Sequence, residues 1–134
     1  MEKYNYRKDP HQDIDHVFRD LLPAHGMVER PAQVELSHQM LDAMLNGSIA
    51  LCDAGTGIGK TYAYLVAGVV FRRYRSRAGL PNQPLLISTS SIALQGAIIH
   101  DYLPFLSKVM MVCWTVRSEQ CCGKENPTTS AMPA

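Results

Sequence analysis

The sequence predicts an α/β fold, with a short parallel sheet flanked by helices, from two apolar runs and the helix-like segment after each. Ile49 to Cys52 is a short strand-like run that leads through a glycine-rich stretch into a long helix-like segment, "SIALCDAGTGIGKTYAYLVAGVVFRRYRSR". Leu85 to Thr89, "LLIST", is a second such run, followed by helical spacing in "SSIALQGAIIHDYLPFL". Strand, helix, strand, helix implies a right-handed crossover and parallel strands. At 134 residues, 46% hydrophobic and 19% charged, the chain can bury the core of one ordinary domain.

The N-terminal elements are helical. In "DPHQDIDHVFRDLLPAHG", Ile14, Val17, Phe18, Leu21 and Leu22 recur at helical spacing, with Asp9 as a cap and Pro10 in the first turn. That helix is expected to end near Pro23. A second begins at "ERPAQ", with Pro31 at its first position, points Met40, Leu41, Met44 and Leu45 inward, and stops at "NG". The helix after the glycine stretch is apolar for three turns and closes on Arg72, Arg73, Arg75 and Arg77 before Gly79. Cations there complement the helix dipole, and most such clusters are simply solvated. The last helix reaches toward Pro104, and Val109 to Val112 could add a third strand.

The stretch between the first strand and its helix carries the chemistry. Ala54, four residues, then Gly59-Lys60-Thr61 is the phosphate-loop spacing with Ala in place of its first Gly. Glycines at 55, 57 and 59 permit a tight turn and a close approach of N–H groups to phosphate oxygens. The loop's N–H groups and the positive end of the following helix both favour an anion. Residues 54–61, namely Ala54, Gly55, Thr56, Gly57, Ile58, Gly59, Lys60 and Thr61, are therefore candidates to hold a nucleotide triphosphate. In this reading Lys60 pairs with the β and γ phosphates, and the Thr61 hydroxyl faces Mg²⁺.

Composition excludes some classes and names no partner. A formal net charge of +1 provides no global field toward nucleic acid or an anionic membrane. No apolar run reaches the roughly 20 residues needed to span a bilayer, and "MEKYNYRKDPHQD" lacks the apolar segment of a secretion signal. A cytoplasmic protein is expected, with its oligomeric state left open. Cys52, Cys113, Cys121 and Cys122 form no CxxC pair and are read as reduced thiols rather than zinc ligands.

The loop, together with "RPAQ" upstream and "ISTSSIALQ" downstream, resembles the first RecA-like domain of superfamily 2 helicases, most closely the DinG/XPD-like DNA helicases. The resemblance covers roughly residues 12 to 111. It implies a partial RecA-like P-loop NTPase domain over 30–111, an N-terminal helical segment at 1–29 and an irregular tail at 112–134. It implies that Gln33 reads the adenine edge, a task for a side chain with both donor and acceptor. It places Thr89, Leu94 and Gln95 against single-stranded DNA phosphates, with weak DNA binding as the outcome. The family continues Leu-Gln-x-Gln, whereas position 97 here is Ala97.

What the family needs for turnover is missing. No Asp-Glu-x-His sequence occurs to hold Mg²⁺ and orient water, and no second RecA-like domain supplies an arginine worth about a thousandfold in rate. The chain is therefore expected to bind ATP and to be inactive alone as a hydrolase. Two other readings stay open: a stand-alone ATP- or single-strand-binding module without turnover, and a small phosphate-loop kinase, against which "RPAQ" counts.

From Met111 the helical and strand periodicity is lost. Read one base earlier, codons for Met110 onward permit "DGLLDRPFRAVLRKGKSNYVCDAR", which looks like the family's continuation into an iron–sulfur cluster segment. A shifted reading frame is one expected origin of the tail; a natural tail that is simply variable, as termini commonly are, is the other. With a shifted frame the cluster is expected only in full-length relatives, and Cys113, Cys121 and Cys122 carry no cluster chemistry.

Overall fold

A computed structural model describes residues 9–111, 115–118 and 128–131. The chain divides into two compact units, 1–87 and 88–134.

The first unit is helical. α1 (Pro10–His16) opens on Asp9, whose carboxylate accepts the His11 N–H, and continues through a π-helical turn (Val17–Leu21) into α2 (Leu22–Ala24). The π turn has a cause in the sequence. Pro23 has no N–H and its ring crowds the carbonyl four residues back, so the helix widens by one residue and Leu22 N–H bonds to Val17 carbonyl instead. α3 (Pro31–Asn46) starts on its proline and ends at Gly47, which takes the left-handed conformation at φ 62°. α4 (Lys60–Arg77) comes directly after the glycine loop.

α1 and α3 pack on each other and both pack on α4. α1, its π turn and α2 bury Ile14, Val17, Phe18 and Leu22, while Leu21 is half-buried. α3 buries Val34, Leu36 and Leu41 but also two polar side chains, Gln33 and Ser37; Met40, Met44 and Leu45 are only half-buried. α4 buries Ala63 and Leu65 to Val70 almost completely. Each large side chain so buried contributes about 1.5–3 kcal/mol. Gly68 lets another segment approach this helix: a Cβ there would lie 2.5 Å from Leu85 Cδ2.

The expected α/β fold is not what the chain adopts. No parallel sheet occurs among the described residues, so neither the short sheet flanked by helices nor a RecA-like domain describes them. Both expected strands are irregular. Ile49 and Leu51 are 93% and 98% exposed, and Leu86 is 91% exposed. The physical reason is that parallel strands are stable when buried on both faces with their edges paired. These two short runs have no such cover, so their backbone groups stay in water.

The second unit contains α5 (Ile92–Ala97), a π turn (Ile98–Tyr102), α6 (Leu103–Met110) and the strands β1 (Thr115–Ser118) and β2 (Thr128–Ala131). Pro104 does not end the helix. As before Pro23, the residue ahead of the proline bonds five back, Leu103 N–H to Ile98 carbonyl, and the helix runs on. The third strand expected at Val109 to Val112 is absent from its described part, because Val109 and Met110 are helical and Met111 turns left-handed at φ 53°. Val112 lies outside the described residues. The tail expected to be irregular contains an antiparallel pair, with Thr115 opposite Ala131 and Ser118 opposite Thr128.

Candidate functional site

The loop before α4 is shaped by two glycines. Gly57 has φ 82° and Gly59 has φ 83°, both in the left-handed region that side chains with a Cβ rarely occupy. Gly55 differs. Its φ is ordinary, and a Cβ there would meet only Ile58 Cδ1 at 3.9 Å. Gly59 caps α4, and its carbonyl accepts the first helical bond from Ala63 N–H at 3.3 Å. The N–H groups of Gly55 to Lys60 make no hydrogen bond among the described residues. They form a row of free donors at the positive end of an 18-residue helix, in which Lys60 and Thr61 occupy the first turn.

Three side chains of α3 and its cap hold this row from behind. Arg30 Nη1 donates to the Gly57 carbonyl. Gln33 Nε2 donates to the Gly59 carbonyl at 2.8 Å. Ser37 Oγ donates to the Ala63 carbonyl at 2.9 Å. Positions 30, 33 and 37 lie on one helical face, and 57, 59 and 63 track the loop into α4.

The arrangement thus brings Gln33 together with Gly57, Ile58, Gly59 and Lys60. Ala54 and Ile58 are half-buried, as is Thr61, while Thr56 and Lys60 are exposed. Lys60 has no hydrogen bond or ion pair among the described residues, which leaves its ammonium available. Asp53 and Cys52 are exposed, and Cys52 is a free thiol. Cys113, Cys121 and Cys122 lie outside the described residues. No group of three or more His, Cys, Asp or Glu side chains is placed to hold a metal ion among the described residues. No helix among them is long and apolar enough to cross a membrane.

Sequence reasoning passed over Arg30 and Ser37 as site residues. The signal was present: Gln33 and Ser37 are polar residues at buried positions of an otherwise apolar face, and buried polar groups need partners.

Thr89, Leu94 and Gln95 belong to the second unit. Thr89 Oγ1 accepts the Ser91 N–H at 3.1 Å, Ser91 Oγ accepts the Leu94 N–H at 3.1 Å, and the Gln95 N–H goes to the Ser91 carbonyl at 3.0 Å. Ser91 is the cap of α5, so the backbone donors of Leu94 and Gln95 are taken within the chain. The Thr89 hydroxyl hydrogen and the Gln95 side chain remain for other partners.

Comparison with known proteins finds relatives of the chain. The chain is 33% identical to the ATP-dependent DNA helicase DinG of Photobacterium profundum, over 55% of this chain and 12% of that protein. It is 33% identical to the 3'-5' exonuclease DinG of Bacillus subtilis, over 65% of this chain and 8% of that protein. It is 33% identical to the ATP-dependent DNA helicase YoaA of Haemophilus influenzae, over 63% and 12%. This chain carries a DinG-like helicase segment. The DinG-like segment spans about a tenth of the length of the relatives it matches, 12% and 8% for the first two. No protein-family model matches the chain, and no solved structure matches it.

Proposed function

We propose that the DinG-like segment binds the phosphates of Mg-ATP through residues 54–61. One observation supports the reading most: a row of unpartnered N–H groups, bent by two left-handed glycines, runs into the N-terminus of a long helix whose first residue is Lys60. Backbone donors and a helix dipole favour an anion, and a free ammonium favours the terminal phosphates. Mg²⁺ would arrive with the nucleotide, and Thr61 is the residue proposed to face it. When bound, the metal neutralises phosphate charge.

ATP hydrolysis coupled to DNA unwinding is proposed for the longer proteins in which such a segment works. This chain by itself is proposed to bind ATP without turnover, since no Asp-Glu-x-His sequence is present to orient water. Weak binding of single-stranded DNA is proposed through Thr89 and the Gln95 side chain, and it should weaken steeply with salt.

Calorimetric titration with Mg-ATP tests the central claim. Wild type should bind, and Lys60→Ala should weaken binding at least tenfold, the effect of losing a charged hydrogen-bond donor. Lys60 is exposed, so the variant keeps the fold. Equal affinity of the two proteins would overturn the phosphate-loop reading.

A further inference from the structure

Two histidines from different helices meet ring to ring where α1 lies on α3. His11 Nδ1 and His38 Nδ1 are 2.7 Å apart, a hydrogen bond between two nitrogens. Their outer nitrogens face carboxylates: His11 Nε2 is 2.6 Å from Asp42 Oδ1, and His38 Nε2 is 2.9 Å from Asp15 Oδ1. The line Asp42, His11, His38, Asp15 alternates between α3 and α1, so every bond in it joins the two helices. Its chemistry fixes how many protons it holds. An ionised carboxylate only accepts, so both Nε2 atoms carry hydrogen, and of the two Nδ1 atoms one donates and the other accepts. Three hydrogens therefore sit on four ring nitrogens. Two neutral imidazoles carry one each, so the pair bears one extra proton and one positive charge between two carboxylates.

We infer that the His11–His38 pair is a pH-limited clamp, which holds α1 on α3 while the two rings share one proton and loosens when they gain a second or lose the first. A second proton sets two N–H donors against each other across the Nδ1 contact; loss of the shared one leaves two lone pairs there. The side chains of His11 and His38 are 31% and 22% exposed, enough for protons to arrive from water. The neighbouring charges are already committed. On α1, Asp9 accepts the His11 backbone N–H, and Asp15 is also 3.8 Å from Arg19, which reaches Glu29. On α3, Glu35 accepts from Gln39. From α4, Arg77 goes to Asp13 and Arg75 to the Pro81 carbonyl, and neither histidine ring has a hydrogen bond or ion pair to α4 among the described residues.

The pH at which the clamp is tightest follows from proton counting. In the unfolded chain each histidine is half protonated at about pH 6.5, so the two together then hold one proton on average, the number that the folded pair holds. Below that pH the unfolded chain binds more protons than the folded one, and stability rises with pH; above it the unfolded chain binds fewer, and stability falls as pH rises. The contribution of the pair is therefore a peak. An ordinary histidine–carboxylate pair would only lose stability with rising pH, and a pair of neutral rings would only gain it.

Urea unfolding of the whole chain, wild type against His38→Phe, tests the inference at about pH 5, 6.5 and 8. The ratio of the two folding constants should be greatest near the middle value and about threefold smaller at each end, short of the tenfold per pH unit of a full proton because water reaches both rings. His11→Phe should give the same peaked profile. His16, His25 and the other titrating groups are present in wild type and variant alike, so their effects cancel in the ratio. A ratio that stays constant with pH, or that moves in one direction only, would overturn the inference. Nitrogen-15 NMR of the imidazoles in wild type reads the protons directly and needs no variant to fold. At about pH 6.5 both Nε2 atoms should carry hydrogen in full and the two Nδ1 atoms should share one. Two bare Nδ1 atoms, or two fully protonated ones, would overturn it as well.

Discussion

Asp13 and Arg77 meet across 64 residues of sequence, Oδ2 to Nη1 at 3.1 Å, and join α1 to the last turn of α4. The Asp13 side chain is 3% exposed and that of Arg77 is 32% exposed. Asp13 Oδ1 has no hydrogen-bond partner among the described residues, so the Arg77 bond on Oδ2 is what compensates a buried carboxylate. Arg77→Ala should lower stability in urea by about 2–3 kcal/mol, discounted from the usual buried-pair loss because the guanidinium is partly in water. An unchanged midpoint would return Arg77 to the class of solvated helix-end cations. Arg75 is also engaged, on the Pro81 carbonyl and over the Phe71 ring, so Arg75 and Arg77, two of the four helix-end arginines, have structural contacts.

His11 and His38 face each other nitrogen to nitrogen, Nδ1 to Nδ1 at 2.7 Å, with stacked rings. Their outer nitrogens reach Asp42 at 2.6 Å and Asp15 at 2.9 Å. Of the two inner nitrogens one must donate and the other accept, so each ring depends on its neighbour. His38→Phe keeps the stacking and deletes two hydrogen bonds. Thermal unfolding should show a loss of about 1 kcal/mol; a melting temperature equal to that of wild type would mean the pair adds nothing to the α1–α3 contact.

The three loop glycines should rank by their geometry. Gly59→Ala meets both a left-handed φ and the Gln33 amide, Gly57→Ala meets only the φ, and Gly55→Ala meets neither. Mg-ATP affinity should fall most for Gly59→Ala and least for Gly55→Ala. A reversed order would show that the loop takes another shape when it binds.

Gly68 is a packing position. A Val there would press against Leu85 and cost about 1–3 kcal/mol by overpacking. The double variant Gly68→Val with Leu85→Ala should recover part of that loss. Strict additivity in chemical denaturation would argue against the contact.

Sequence by itself determined the helices of the first unit and the glycine-rich spacing of the loop. Asp9-Pro10, Pro31 and Asn46-Gly47 place helix ends through local effects, a side-chain cap, a preset φ and a left-handed glycine, which act within a few residues and so can be read along the chain. The spacing from Ala54 to Thr61 is local in the same way. Whether Ile49 to Cys52 and Leu85 to Thr89 become strands is not local, because a strand exists only with partners that bond its edges and cover its faces. Tertiary structure alone decided that they stay irregular. It also decided that Gln33 donates to the Gly59 carbonyl, since only the packing of α3 beside the loop brings that backbone group within reach of the side chain.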